Sequence, residues 1–112
     1  MKFVCMPEVT IFQDLSEAHR TIPVGEKRLV RIGSKRICLI HFAEGFRAVA
    51  DECPHMSYSL TKGTINHLGE IVCPWQAYRF HTKTGEEAER RCGQLRMYQL
   101  MEQDGLKIVV DD

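Results

Sequence analysis

The sequence predicts an all-β fold whose strands close into a sandwich or barrel. Three observations carry that prediction. Short apolar or alternating runs recur along the chain and are separated by glycine turns. Helical periodicity is almost absent, the best stretch being Asp14 to Arg20, whose weak signal suits about one helical turn. The Asp104-Gly105 pair between two apolar runs is a strong hairpin signal, because Asp-Gly suits a type I′ turn. Counting gives roughly eight or nine short strands, and such a chain closes its sheets to limit exposed edges.

Taken in order, Val9 to Phe12 reads as a short edge strand, and Ile22-Pro23-Val24-Gly25 as a loop, since proline restricts itself and the residue before it. Arg28 to Ile32 alternates charged and apolar residues. Gly33-Ser34 then supplies a two-residue turn, with positive φ at the glycine. Arg36 to Phe42 returns as a strand that is apolar on both faces, which places it centrally. Glu44-Gly45 turns the chain, and Phe46 to Ala50 delivers it to Cys53. Thr64-Ile65, a turn at Leu68-Gly69, and Glu70 to Val72 lead to Cys73, and Ala77 to Phe80 leads away. Lys83 to Arg91 reads as a solvated, charged connection. Leu95 to Glu102 and Leu106 to Val110 form the last hairpin.

The 112 residues suit one domain, 1–112, without a second core, and 44% hydrophobic residues allow a modest core without a disulfide framework. Fifteen basic residues balance fifteen acidic ones, so no basic field invites nucleic acid. No apolar run approaches eighteen residues, which argues against a membrane-spanning helix, and the first residues are too short and polar for a signal peptide. The five cysteines are irregularly spaced, so free thiols or metal ligands are expected rather than disulfides, in a cytoplasmic setting.

The chemistry concentrates between Cys53 and Phe80. Cys53-Pro54-His55 and Cys73-Pro74-Trp75-Gln76 are two short clusters with seventeen residues between His55 and Cys73. That spacing gives one loop, a hairpin and a return, bringing two loop tips to one object. Iron in sulfide clusters is held by thiolates, and some clusters replace two thiolates on one iron with two imidazoles. Neutral imidazoles lower the negative charge of the site and raise the reduction potential to about −150 to +300 mV. For that arrangement each loop must give one Cys and one His. Cys53 and His55 satisfy the first loop, Cys73 gives the second thiolate, and the second imidazole is expected at position 76, where the chain has Gln76. Zinc held by Cys53, His55, Cys73 and water is the rival metal reading. Cys38 reads as a buried core thiol, and Cys5 and Cys92 as exposed thiols without a ligand-spaced partner. His41 reads as structural, and His19 and His67 as solvated.

The stretch resembles Rieske iron–sulfur proteins, whose pattern is C-x-H, some fifteen to seventeen residues, then C-x-x-H. The resemblance runs from Gly25 to Val110 through ICLIHFAEGFRAVADECPH, LTKG, IVCPW and the later FHTKTG. It is most similar to the soluble ferredoxins and ferredoxin components of oxygenase systems, which carry Trp at the position of Trp75. The respiratory branch has a disulfide-bonded Cys there, which this chain lacks. The resemblance implies an antiparallel β-sandwich or barrel bearing a small cluster-binding subdomain, at about 51–80 here. It implies a [2Fe-2S] cluster held by Cys53, His55 and Cys73, with Gln76 in the remaining position. It also implies one-electron transfer between a reductase and a terminal oxygenase or other oxidoreductase; the sequence itself shows no catalytic constellation, and its charge balance and lack of a long apolar run argue against a nucleic-acid or membrane partner. Gln76-Ala77 replaces the family's His-Gly. The carboxamide is a hard, neutral donor that suits such a cluster poorly, and the alanine adds a Cβ in a tight loop.

Three outcomes follow. Gln76 or a nearby His67 or His81 completes the site, the cluster binds with an unusual and labile ligand set, or the fold serves as a cluster-free subunit or interaction module, as in the small subunit of some nitrite reductases. In the high-potential branch, hydroxyls donate to the cluster from the positions of Tyr78 and Phe80. Phe80 has no hydroxyl, so a lower, ferredoxin-like potential is expected.

Overall fold

The computed structural model describes residues 8–54, 57–75, 77–102 and 105–110. Ten strands and one α-helix are present among them: β1 (Glu8–Phe12), α1 (Leu15–Thr21), β2 (Lys27–Ile32), β3 (Lys35–Phe42), β4 (Gly45–Ala50), β5 (Thr64–Ile65), β6 (Glu70–Val72), β7 (Arg79–His81), β8 (Met97–Tyr98), β9 (Leu100–Glu102) and β10 (Leu106–Val109). They form three antiparallel sheets, in the orders β1-β10-β9, β2-β3-β4-β8 and β5-β6-β7.

The central position expected for Arg36 to Phe42 is observed. β3 lies between β2 and β4, and the alternation of its side chains divides the interior. Ile37 and Leu39 enter one buried cluster with Ala18, Ile22, Phe46, Leu106 and Ile108. Cys38, Ile40 and Phe42 enter the other, with Val49, Leu60, Ile71 and Phe80. Both clusters therefore share one strand as their wall. The Gly33-Ser34 turn is also observed: Ile32 pairs with Lys35, and Gly33 has φ +62°.

Two elements differ from expectation. The weak helical signal at Asp14 to Arg20 is a true helix of seven residues, because the Asp14 carboxylate caps it by accepting from Ser16 N–H at 2.8 Å, and Ala18 docks into the core. The single strand expected at Leu95 to Glu102 is broken at Gln99. β8 pairs with β4 and β9 with β10, so the chain changes sheets there. The hairpin β9–β10 forms as expected, Glu102 pairing with Leu106, although Asp104 lies outside the described residues.

The third sheet positions the site. Its hairpin turns at Asn66, whose side-chain carbonyl accepts from Leu68 N–H at 3.0 Å and Glu70 N–H at 3.1 Å. From that turn β6 runs to Cys73, and Val72 pairs with both Thr64 and Arg79.

Candidate metal centre

Two loops leave the β framework side by side, each opening on a cysteine. They are built alike. In the first, Cys53 N–H donates to the Tyr58 carbonyl at 2.9 Å; in the second, Cys73 N–H donates to the Tyr78 carbonyl at 2.8 Å. Each loop is thus closed by a bond from its Cys to a Tyr five residues on. The residue before that Tyr has positive φ in both: Ser57 at +61° and Ala77 at +55°. The left-handed turn expected to trouble Ala77 is therefore real, and it has a counterpart in the first loop.

Cys53 and Cys73 are both buried, in one cluster, and their thiols interact. Burial pushes the Cys73 thiol up to about 11, against a bond from Trp75 N–H to its Sγ (3.5 Å), which favours the thiolate. The pair lies in the same buried cluster as Leu60, Ile71, Phe80 and Leu95. Across the outside of the loops, Tyr58 and Trp75 stack with ring centroids 5.6 Å apart, and both remain exposed, at 42% and 45%. The two loops are thus tied at their bases by sulfur and at their surface by an aromatic contact.

Of the residues expected at the site, the structure brings Cys53 and Cys73 together. His55 and Gln76 lie outside the described residues, as does Cys5. His67 is exposed beside the Asn66–Gly69 turn, and His81 pairs with Glu70 at that same end of β6. Cys73 stands three residues further along, roughly 10 Å of strand away. His81 also accepts from Lys83 N–H through Nδ1, at 3.1 Å. Both histidines thus stand at the end of β6 away from Cys73. His41 is buried and structural, its Nδ1 lying 2.6 Å from the Ile22 carbonyl and its ring stacked on Phe46. Cys38 is buried as expected, and burial raises its thiol to about 11, opposed by a hydrogen bond with Thr61.

Three features of the surroundings escaped the sequence reading. Cys92 is half-buried, not exposed, and packs against the cluster that contains Cys53 and Cys73. Burial raises its pKa, aided by Cys53 and Glu87. No three His, Cys, Asp or Glu side chains among the described residues converge tightly enough to hold a metal ion, so Cys92 is a neighbour and not a third described ligand.

The second feature is Glu87, in the segment expected to be solvated. Its side chain is fully buried. It accepts from Arg91 Nε at 2.9 Å and Nη2 at 2.5 Å, and from the backbone of Glu89, Arg91 and Arg79. The Arg91 guanidinium holds its carboxyl down to about 2, and the same guanidinium lies 3.9 Å over the Tyr78 ring. The sequence signal was the i,i+4 spacing of Glu87 and Arg91 inside EEAERR. The third is Asp51, a buried carboxylate two residues before Cys53 that faces Arg36, Ser59 and Thr61.

Two adjacent buried thiols suit the iron of an iron–sulfur cluster that carries thiolates only, and the donor set would be completed on a second iron by one nitrogen or oxygen donor from each loop. The described thiols fit that group.

Comparison with known proteins points the same way. Residues 14–99 match the Rieske [2Fe-2S] domain family. Among curated proteins, apoptosis-inducing factor 3 of Homo sapiens is 32% identical over 62 residues, covering 55% of this chain and 10% of that protein. Ferredoxin CarAc of Metapseudomonas resinovorans is 30% identical over 67 residues, covering 59% of this chain and 61% of that one. The chain thus spans about a tenth of the length of the first of these relatives. Among solved structures, a chain from the complex of reduced oxygenase and oxidized ferredoxin in carbazole 1,9a-dioxygenase superposes with a TM-score of 0.78 at 22% identity, covering 94% of both chains. A chain described as a nitrite reductase NADPH small subunit gives 0.74 at 18% identity, covering 94% of this chain and 99% of its own. No helix among the described residues is long and apolar enough to cross a membrane. With its two cysteine loops set on an antiparallel framework, and with the match running through most of its length, the chain belongs to the Rieske [2Fe-2S] domain family.

Proposed function

We propose that this protein is a Rieske-type ferredoxin that carries one electron between a reductase and a terminal oxygenase or other oxidoreductase. The observation that carries the reading is the pairing of Cys53 and Cys73: two buried thiols in mutual contact, each at the start of a loop closed by the same hydrogen bond. Cys53 and Cys73 would hold one iron, and His55 with Gln76 would face the other. When bound, a [2Fe-2S] cluster supplies the one-electron couple. The chain's own residues hold the thiols, exclude water from them through Leu60, Ile71 and Phe80, and present an exposed Tyr58–Trp75 patch beside them. The likeness to ferredoxin CarAc, and to a chain from the oxygenase–ferredoxin complex of carbazole 1,9a-dioxygenase, supports the role of electron donor to an oxygenase.

Anaerobic purification followed by iron and sulfide analysis tests this reading. A brown protein with about two irons and two sulfides per chain is expected. Buried Phe80 offers no hydroxyl, so the midpoint should fall in the lower part of the range of about −150 to +300 mV. A colourless, folded, iron-free protein would rule the reading out.

A second reading, a cluster-free subunit or interaction module, is favoured by Gln76 at the position of a ligand and by the likeness to the nitrite reductase small-subunit chain. The Gln76→His variant separates the two. If only that variant takes up iron and sulfide, the natural chain is the scaffold. If both do, Gln76 is compatible with the cluster.

A further inference from the structure

The first loop is six residues long from Cys53 to Tyr58, and it contains a left-handed Ser57. Such a loop needs its neck held. The backbone bond from Cys53 to Tyr58 is one tie. Ser57 N–H donating to the Cys53 carbonyl at 2.7 Å is a second, and several more converge on Asp51. Asp51 Oδ2 accepts from Ser59 Oγ at 2.6 Å, and Oδ1 accepts from Thr61 N–H and Thr61 Oγ1, both at 2.6 Å. Arg36 Nη2 donates to Oδ2 at 3.3 Å, and Asp51 N–H donates to the Arg36 carbonyl at 2.9 Å. Asp51 lies just before the loop and Ser59 and Thr61 just after it. The three short bonds therefore run across its neck.

The position is also anchored from below. Asp51 is 1% exposed, and Leu60, between its two partners, is fully buried in the cluster that holds Cys53. A buried carboxylate that accepts several short bonds is costly to leave unpaired, so the neck cannot open without a large penalty. The second loop has no carboxylate of this kind across its neck among the described bonds; Glu87 grips it from outside, through Arg79 and through Arg91 over Tyr78.

We propose that Asp51 is a positioning residue for the first ligand loop, setting the place of Cys53 by drawing Ser59 and Thr61 back against the start of the loop. It does not touch the metal group. It fixes the neck, and the neck fixes the thiol. The role toward a metal rests on the iron–sulfur reading, whereas the hold on the neck can be measured without it.

The test compares the full chain with Asp51→Asn, Thr61→Val and Thr61→Ser. In Asp51→Asn and Thr61→Val the Cys53 amide should exchange about tenfold faster or more, the change expected on losing a hydrogen bond to a charged group. Thr61→Ser, which keeps the hydroxyl, should restore slow exchange. Amides of β10, in another sheet, should not change. In the iron-loaded chain, the same two variants should shift the electron paramagnetic resonance g values and lose iron to a chelator faster, and Thr61→Ser should again match the unsubstituted chain. Unchanged Cys53 exchange and unchanged g values, with only a lower unfolding midpoint, would overturn the proposal. If the unsubstituted chain carries no iron, the cluster reading fails, and the amide result alone decides the neck: acceleration upholds it and its absence overturns it. If Asp51→Asn does not fold, the Thr61→Val and Thr61→Ser pair gives the same two outcomes.

Discussion

The two cysteine loops share a backbone plan and differ in how they are secured. Both begin Cys-Pro, both turn through a left-handed residue, and both close Cys to Tyr. The first is tied by Asp51, a charge that belongs to its own flank. The second is tied by the Glu87–Arg91 pair, eight residues or more beyond Arg79. The first offers His55 and the second Gln76. Similar geometry can thus be reached with different supporting chemistry, and the second loop departs from the expected His-Gly pattern at two adjacent positions, Gln76 and the left-handed Ala77.

The largest effect should come from a residue that serves both loops. Gly63 follows the first loop, and a Cβ placed there would sit 1.9 Å from the Val72 carbonyl oxygen, just before the second. Gly63→Ala should cost about 3 kcal/mol by overpacking, read as a lower urea midpoint. Amide protection of Thr64 to Val72 should fall with it. A cost near zero would mean that the loops are less tightly coupled than the close approach requires.

Glu87→Ala should come next. It strips a buried acceptor from Arg91 and three backbone N–H groups. Because the Arg91 side chain is one-third exposed, water can take back part of the charge, and a loss of about 2 kcal/mol is expected, below the range for a wholly buried pair. The substitution should disturb Tyr78 and spare the first loop, which side-chain resonances of the two tyrosines can distinguish.

The same pair predicts an acid dependence. Glu87 is held at about 2 in the folded chain, against an ordinary value of 4.5. A lowered pKa stabilises the fold above the unfolded value, and that contribution is lost as pH falls from about 4.5 toward 2. Glu87→Gln should therefore flatten the unfolding midpoint against pH in that window. An unchanged slope would mean other carboxylates dominate.

The smallest effect compares the left-handed residues directly. Ala77→Gly and Ser57→Gly each remove a Cβ from a positive-φ position, gaining about 1–2 kcal/mol and giving back about 0.5–1 in chain entropy. A net stabilisation of about 0.5 kcal/mol in each is expected in urea titrations. A much larger gain at Ala77 alone would show that the second loop carries strain the first does not.

The β framework was legible because its signals are local. Gly33-Ser34 needs only its own φ, and the two-faced apolar run at Ile37 to Phe42 declares its burial in its side chains. The two cysteines were legible through the spacing of their clusters. Asp51 and Glu87 were not. Each is an acidic residue in a polar stretch, and what distinguishes it is the donors that the fold delivers from elsewhere: Arg36, Ser59 and Thr61 for one, Arg79 and Arg91 for the other. Cys92 was misjudged for a related reason, since the charged residues before it masked a side chain that turns inward. The break at Gln99 was hidden because two paired segments on different sheets read as one run when only alternation is seen.

The single strand β3 serving two interiors has a mechanical consequence. Ile37 and Leu39 press on the side that holds α1, and Cys38 and Ile40 press on the side that holds the thiols. Neither half can melt while the other keeps this strand, so heat or denaturant should dissolve the molecule in one step. A sulfur-bearing end built on such a shared beam keeps its interior wall for as long as the other half stands.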